Sequence, residues 1–168
     1  WEAMLAVHMT APFRILRAAS GFIREAAKRE AEAGISKHRK VVNISSTSGV
    51  YGNAGQANYA AAKAGINGLT KAMAKEWGRY KVNVNSVAFG LIMTRLTEAP
   101  ADGDASIAIA GQQIKVGVNP NILKSVEQTI PLGRGGTPEE AAGAVYLFCI
   151  PESNYVSGQV LVCGGGKP

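Results

Sequence analysis

The chain has 168 residues, 46% of them hydrophobic and 18% charged, with 20 glycines, a balance that fits one globular domain and excludes a disordered tail or a collagen-like repeat. No apolar run approaches the ~20 residues that span a bilayer, and the first residues lack the basic-then-apolar order of a secretory signal, so the expected setting is cytoplasmic. The net charge of +6 is uneven, with Arg24, Lys28, Arg29, Lys37, Arg39 and Lys40 close together. Such a patch draws nucleic acid or an anionic carrier in some proteins, but no aromatic residues interleave with these charges, so it reads as a solvated helix end and loop, with no nucleic-acid or membrane partner.

In residues 2–33, Leu5, Met9, Phe13, Leu16, Ala19 and Ile23 recur every three or four positions, which predicts a long helix that Pro12 should bend. The chain begins with Trp1, already inside this pattern, and a further upstream portion is the expectation. Val41, Val42, Asn43 and Ile44 form a β-branched run leading into small residues from Ser45 to Gly49, a strand feeding a loop. Residues 56–79 carry Ala60, Ala64, Leu69, Met73 and Trp77 at helical spacing and form the strongest predicted helix.

A second strand is expected over 82–88, where apolar and polar residues alternate. Residues 91–131 break the pattern with Pro100, Asp102, Gly103, Asp104, Gly111, Gly117 and Pro120, and a stretch that long is read as a lid or binding loop. Its apolar residues Ile107, Ile109, Val116, Ile122 and Leu123 suit an acyl chain or a steroid equally. Thr137, Pro138, Glu139 and Glu140 announce a helix over 139–150, and a last strand follows over 159–163. Cys149 and Cys163 have neither disulfide nor metal-ligand spacing and are expected as reduced core thiols, with no metal site. Alternating strands and helices imply parallel βαβ units, hence an α/β sheet with helices on both faces, all in one domain.

The chemistry lies in residues 43–65. Tyr59 and Lys63 stand four apart on the strong helix, which puts their side chains on one face, about 5–6 Å apart at Cβ. A phenol is a poor proton donor at neutral pH, and a neighbouring ammonium favours its phenolate. Ser46 leaves the strand at the carboxyl end, where parallel sheets form their ligand crevice. Each feature alone is commonplace; their combination is specific.

The segment resembles the short-chain dehydrogenase/reductases, whose signature is a serine thirteen residues ahead of the tyrosine of Tyr-x-x-x-Lys, the separation of Ser46 and Tyr59 here. Asn83 to Ala88 with Gly90, Ile92 and Thr94, and Ser157, Gly158 and Gln159 with the terminal glycines, extend the likeness over nearly the whole chain. The resemblance implies a Rossmann-type doubly wound parallel sheet lacking its N-terminal dinucleotide-binding strands, and a cofactor that is NADP or NAD. It implies Tyr59 as the acid/base, Lys63 as the group that stabilises its phenolate and binds the nicotinamide ribose, and Ser46 as the substrate-orienting hydroxyl. Asn43, Ile44, Tyr59, Lys63, Gly90, Ile92 and Thr94 are the implied cofactor contacts. The run from Gly55 to Gly65 is most similar to that of 3-oxoacyl-(acyl-carrier-protein) reductases of fatty acid metabolism, with hydroxyacyl-coenzyme A dehydrogenases close behind. A small-molecule or thioester-carried ketone is therefore the expected substrate, with hydroxysteroids an alternative. The expected assembly is a homo-oligomer, dimer or tetramer, through the helices over 2–33 and 56–79; a scaffold domain without catalysis is the rival reading.

Three departures stand out. His8 occupies the position where the family carries an asparagine of its proton relay, and is a candidate fourth catalytic residue. Phe89-Gly90 replaces a Pro-Gly pair, which loosens that loop. The family's N-terminal half, with its Gly-x-x-x-Gly-x-Gly phosphate turn, has no counterpart, since the glycines near Gly135 and Gly164 do not lie between a strand and a helix start; roughly 80–100 residues are expected upstream.

Overall fold

The computed structural model describes residues 1–94, 97, 106–109, 112–115 and 120–166. The first helical run is α1 (Glu2–Leu5), a π-helical turn (Ala6–Thr10) and α2 (Ala11–Glu32). The irregularity that Pro12 was expected to cause falls one turn earlier. Proline has no N–H and its ring crowds the carbonyl four residues back, here that of His8. The widened turn, in which the Ala11 N–H reaches back to the Ala6 carbonyl, relieves that conflict.

The strands β1 (Arg39–Ser46), β2 (Val82–Phe89) and β5 (Val160–Cys163) make a parallel sheet in the order β1-β2-β5. The fold is therefore the expected α/β class, with a three-stranded parallel sheet. Between β1 and β2 run the short α3 (Ser48–Tyr51) and the long α4 (Ala57–Trp77). The core joins Leu16 and Ile23 of α2, Met73 and Trp77 of α4, and Val82 and Val84 of β2. Each such side chain contributes about 1.5–3 kcal/mol on burial. The alternation read in 82–88 does not separate core from solvent, because β2 is buried on both faces. Its polar residues are paired instead: Asn83 Nδ2 donates to the carbonyls of Asn154 and Val156, and Asn85 Nδ2 to that of Val156.

The stretch expected as a long loop contains a hairpin, β3 (Ser106–Ile109) antiparallel to β4 (Gln112–Lys115), and a helix, α5 (Pro120–Gln128). Pro100, Asp102, Gly103, Asp104, Gly111, Val116 and Gly117 lie outside the described residues, as do the side chains of Ile107, Ile109 and Ile122. The last helix, α6 (Pro138–Tyr146), begins as its sequence foretold. Thr137 Oγ1 accepts the Glu140 N–H at 3.2 Å while Glu140 Oε2 accepts the Thr137 N–H at 2.8 Å, a reciprocal cap. Arg134 grips the same carboxylate through both guanidinium nitrogens and, with the Thr137 N–H, draws its pKa down to about 2.

One expectation about side chains needs correction. Both cysteines are free, but Cys149 is exposed rather than packed in the core, because the end of α6 turns it outward despite its apolar neighbours. His38 Nδ1 lies 3.2 Å from Asn83 Oδ1. The basic patch is partly neutralised, as Arg39 forms a two-pronged pair with Glu30 and Lys40 donates to Ser153 Oγ. Among the described residues no helix is long and apolar enough to cross a membrane.

Candidate active site

Register brings the chemistry together. Ser46 pairs with Phe89, and Phe89 with Cys163, so all three parallel strands end at one level and the crevice opens beyond them. It is a cleft of about 470 Å³ with Ser46, Ser48, Gln56 and Tyr59 on one side and Leu91, Leu123, Val126 and Ile130 on the other.

Ser46 is buried and accepts the Ser48 N–H at 3.2 Å. Its own proton has only a long contact, 3.4 Å, to the Phe89 carbonyl, so it can swing to an oxygen in the crevice at little cost. Tyr59, half-buried, projects from the first turns of α4. One turn on, Lys63 is 7% exposed and its Nζ donates to the Ile44 carbonyl at 3.0 Å, 5.6 Å from the centre of the Tyr59 ring. Burial lowers the pKa of Lys63. Among the described residues its ammonium has that one acceptor, which leaves two donors for hydroxyls such as those of a ribose.

On the far side of Tyr59 stands His8, carried by the π-helical turn, with ring centroids 5.1 Å apart and planes at 87°. Burial, and then the Lys63 charge, hold the His8 imidazole below its usual pKa. Glycines flank this turn of α4 on both sides, and at Gly49 backbone packing leaves room for nothing larger. A Cβ on Gly49 would come within 2.6 Å of the backbone carbon and Cβ of Lys63, and one on Gly65 would collide with Met9 Sδ. The close approach of α3 and of the π-turn to α4 is what sets Lys63 and His8 against Tyr59.

Of the other candidate cofactor contacts, Gly90 lines the crevice. Ile92 lies beside it, bridged to Gly136, and Thr94 closes a turn with Thr97. The side chain of Ile44 is 47% exposed. Asn43 turns the other way, its Nδ2 donating to buried Thr70 Oγ1 at 2.8 Å. The sequence reading missed Ser48, Asn53 and Gln56, which form a hydrogen-bonded cluster on the crevice wall. Their polar type next to the Tyr59 helix start was the available signal.

Comparison with known proteins agrees with this fold. The family model described as enoyl-(acyl carrier protein) reductase matches residues 1–167. The 3-oxoacyl-(acyl-carrier-protein) reductase FabG of Thermotoga maritima is 34% identical over 166 residues, 99% of this chain and 56% of its own. That of Vibrio cholerae is 35% identical, over 99% and 57%. Among solved structures, a short chain dehydrogenase from Bacillus anthracis superposes with a TM-score of 0.71 at 30% identity, covering 99% of this chain and 56% of that one. A putative gluconate dehydrogenase from Agrobacterium tumefaciens gives 0.72 at 31%, over 99% and 55%. The chain thus spans little more than half the length of these relatives.

Proposed function

We propose, from the premise that this chain belongs to the short-chain dehydrogenase/reductase family, that it carries the catalytic centre of an NAD(P)-dependent oxidoreductase interconverting a ketone and a secondary alcohol. The substrate we favour is a 3-oxoacyl thioester, carried on an acyl-carrier protein or coenzyme A. The observation that carries the reading is the Lys63 ammonium, buried beside the Tyr59 ring at the edge of a cleft that Tyr59 shares with Ser46.

In the reducing direction Ser46 Oγ donates to the substrate carbonyl, and Tyr59 gives its phenolic proton to that same oxygen, which becomes the alcohol. Lys63 stabilises the phenolate left behind. A bound nicotinamide would supply the hydride. Lys63, with its two spare donors, suits the adjoining ribose, and Gly90, which lines the cleft, with Ile92 and Thr94 just beyond it, would suit the carboxamide and phosphate. His8, neutral and in contact with Tyr59, is assigned to returning the proton from solvent.

Tyr59→Phe, made in the full-length polypeptide that contains this chain, is expected to lower kcat by about 10²–10⁴-fold with an unchanged melting temperature. Retained turnover ends the proposal. A rise in melting temperature with NADH or NADPH is the independent check on cofactor binding.

One observation also favours self-association. Val7, Ile15 and Phe22 on the first helical run are 64%, 68% and 72% exposed, more apolar surface than a free helix face usually shows. A cytoplasmic homodimer or homotetramer joined through this face is the assembly we propose, with light scattering of Phe22→Glu as its test: an unchanged mass refutes it.

A further inference from the structure

We propose that Ser45 is a positioning residue: its hydroxyl fixes where α4 stops along β1 and thereby sets Tyr59 and Lys63 opposite Ser46. The inference rests on the reading of the cleft as a carbonyl-reducing site. Asn43 and Ser45 are two apart on β1, so their side chains leave one face of the strand. That face meets α4. Asn43 Nδ2 donates to Thr70 Oγ1 at 2.8 Å and Ser45 Oγ to the Lys63 carbonyl at 3.1 Å. Thr70 and Lys63 lie about two turns apart on α4, so the helix runs against the strand and is tied to it at two levels.

The two ties differ in what they hold. The Asn43–Thr70 tie lies farther along α4, away from the chemistry. The Ser45 tie falls on the turn that carries Lys63, and it is doubled there, because the Ile44 carbonyl accepts from Lys63 Nζ at 3.0 Å. Lys63 is thus held at its backbone by one residue of β1 and at its ammonium by the residue before it. Ser46, the next residue, supplies the hydroxyl that lines the cleft. Three consecutive residues of one strand therefore set the spacing of the serine, the phenol and the ammonium.

Apolar contact between a helix and a sheet is non-directional and lets the helix slide by fractions of an ångström. A hydrogen bond, by contrast, is largely lost when its atoms part by about 0.5 Å. Ser45 is buried, which keeps solvent from taking its place at the Lys63 carbonyl. Without the hydroxyl that carbonyl keeps its place in the α4 ladder, no polar group is orphaned, and the fold survives. What is lost is the stop on α4. The ammonium then stands less exactly beside the Tyr59 ring, and proton transfer to the ketone slows.

The test uses the full-length polypeptide that contains this chain, with acetoacetyl-N-acetylcysteamine and NADPH or NADH. Ser45→Ala is expected to lower kcat about tenfold with KM within about twofold, since a displacement of ~1 Å can cost ~10²-fold in rate. The solvent deuterium isotope effect on kcat should rise, because the proton step slows and the hydride step does not. The melting temperature should fall by no more than about 4 °C. Ser45→Cys, which keeps a weaker donor, should lie between wild type and Ser45→Ala in kcat. Thr70→Val cuts the other tie and leaves Asn43 without its acceptor, so it should lower the melting temperature further than Ser45→Ala does and yet leave kcat within about twofold. A kcat unchanged by Ser45→Ala overturns the inference. So does a Ser45→Ala variant that fails to fold, or an equal fall of kcat in Thr70→Val, since either makes the tie a matter of general packing. Wild-type protein that does not reduce the thioester refutes the site itself, and the role of Ser45 with it; normal turnover in both wild type and Ser45→Ala refutes only Ser45.

Discussion

The two sides of the crevice are built in different ways. The Tyr59 side is part of the core: β1, α3 and α4 meet there, Ser45 Oγ donates to the Lys63 carbonyl, Lys63 Nζ donates to the Ile44 carbonyl, and Gly49 lets the backbones of α3 and α4 close in. The opposite side, from α5 to Ile130, leads into residues 131–136, which bond to the segments that follow β5 and β2 through Leu132 N–H to the Gly165 carbonyl and Gly136 N–H to the Leu91 carbonyl. The difference teaches a division of labour. In the proposed reaction, chemistry would be fixed by the part that is built into the core, and substrate fit would be left to the part with fewer ties to it.

The sharpest way to break that comparison is to overpack the rigid side. Gly49→Ala puts a methyl group against the Lys63 backbone at 2.6 Å, so a shift of α3 or α4 is forced. The expected cost is about 1–3 kcal/mol of stability. Because a displacement of ~1 Å can cost ~10²-fold in rate, kcat should fall by about that factor while KM changes little. Thermal denaturation and steady-state kinetics measure both. Wild-type stability and kcat in the variant would mean that the close packing at Lys63 is incidental.

The same comparison predicts the opposite pattern across the cleft. Leu123→Ala removes apolar surface from the substrate side without touching Ser46, Tyr59 or Lys63. KM for a long-chain substrate should rise about tenfold, with kcat within about twofold, because contact with an unreacting chain is equal in ground and transition states. A fall in kcat with constant KM would erase the distinction between the two sides.

How far the sequence foretold each side has a physical cause. The Tyr59 side was legible because its geometry is local: four residues on a helix fix the Tyr59–Lys63 relation, and a strand end fixes Ser46. What was not legible there depends on partners distant in sequence. The face of β1 that Asn43 occupies follows from its pairing with Thr70, the anchoring of Lys63 uses a backbone carbonyl nineteen residues away, and backbone groups leave no trace in side-chain type. The π-helical turn at Ala6–Thr10 had no compositional mark beyond Pro12. The opposite side read as loop because proline, glycine and aspartate interrupt it. Leu123 and Val126 three apart, with Ile122, did offer a short helical pattern that those breakers masked.

The smallest expected effect concerns His8, which lies at the margin of the rigid side. Its imidazole is held below the usual histidine pKa by burial and by Lys63, so the folded protein favours the neutral ring. Above about pH 6.5, the unperturbed value, His8 is neutral in both folded and unfolded chains. As the pH falls from there, the unfolded chain takes up a proton before the folded one does, so stability declines until the folded-state pKa is passed. Activity should fall over the same interval, since a protonated His8 sets a second cation near Lys63 and can no longer accept a proton from solvent on its way to Tyr59. His8→Gln, neutral at every pH, is expected to flatten the acid side of the kcat profile below about pH 6.5, with a change of no more than severalfold at neutral pH. If the variant keeps the wild-type acid limb, the proton comes to Tyr59 by another route, and His8 serves only to brace the ring.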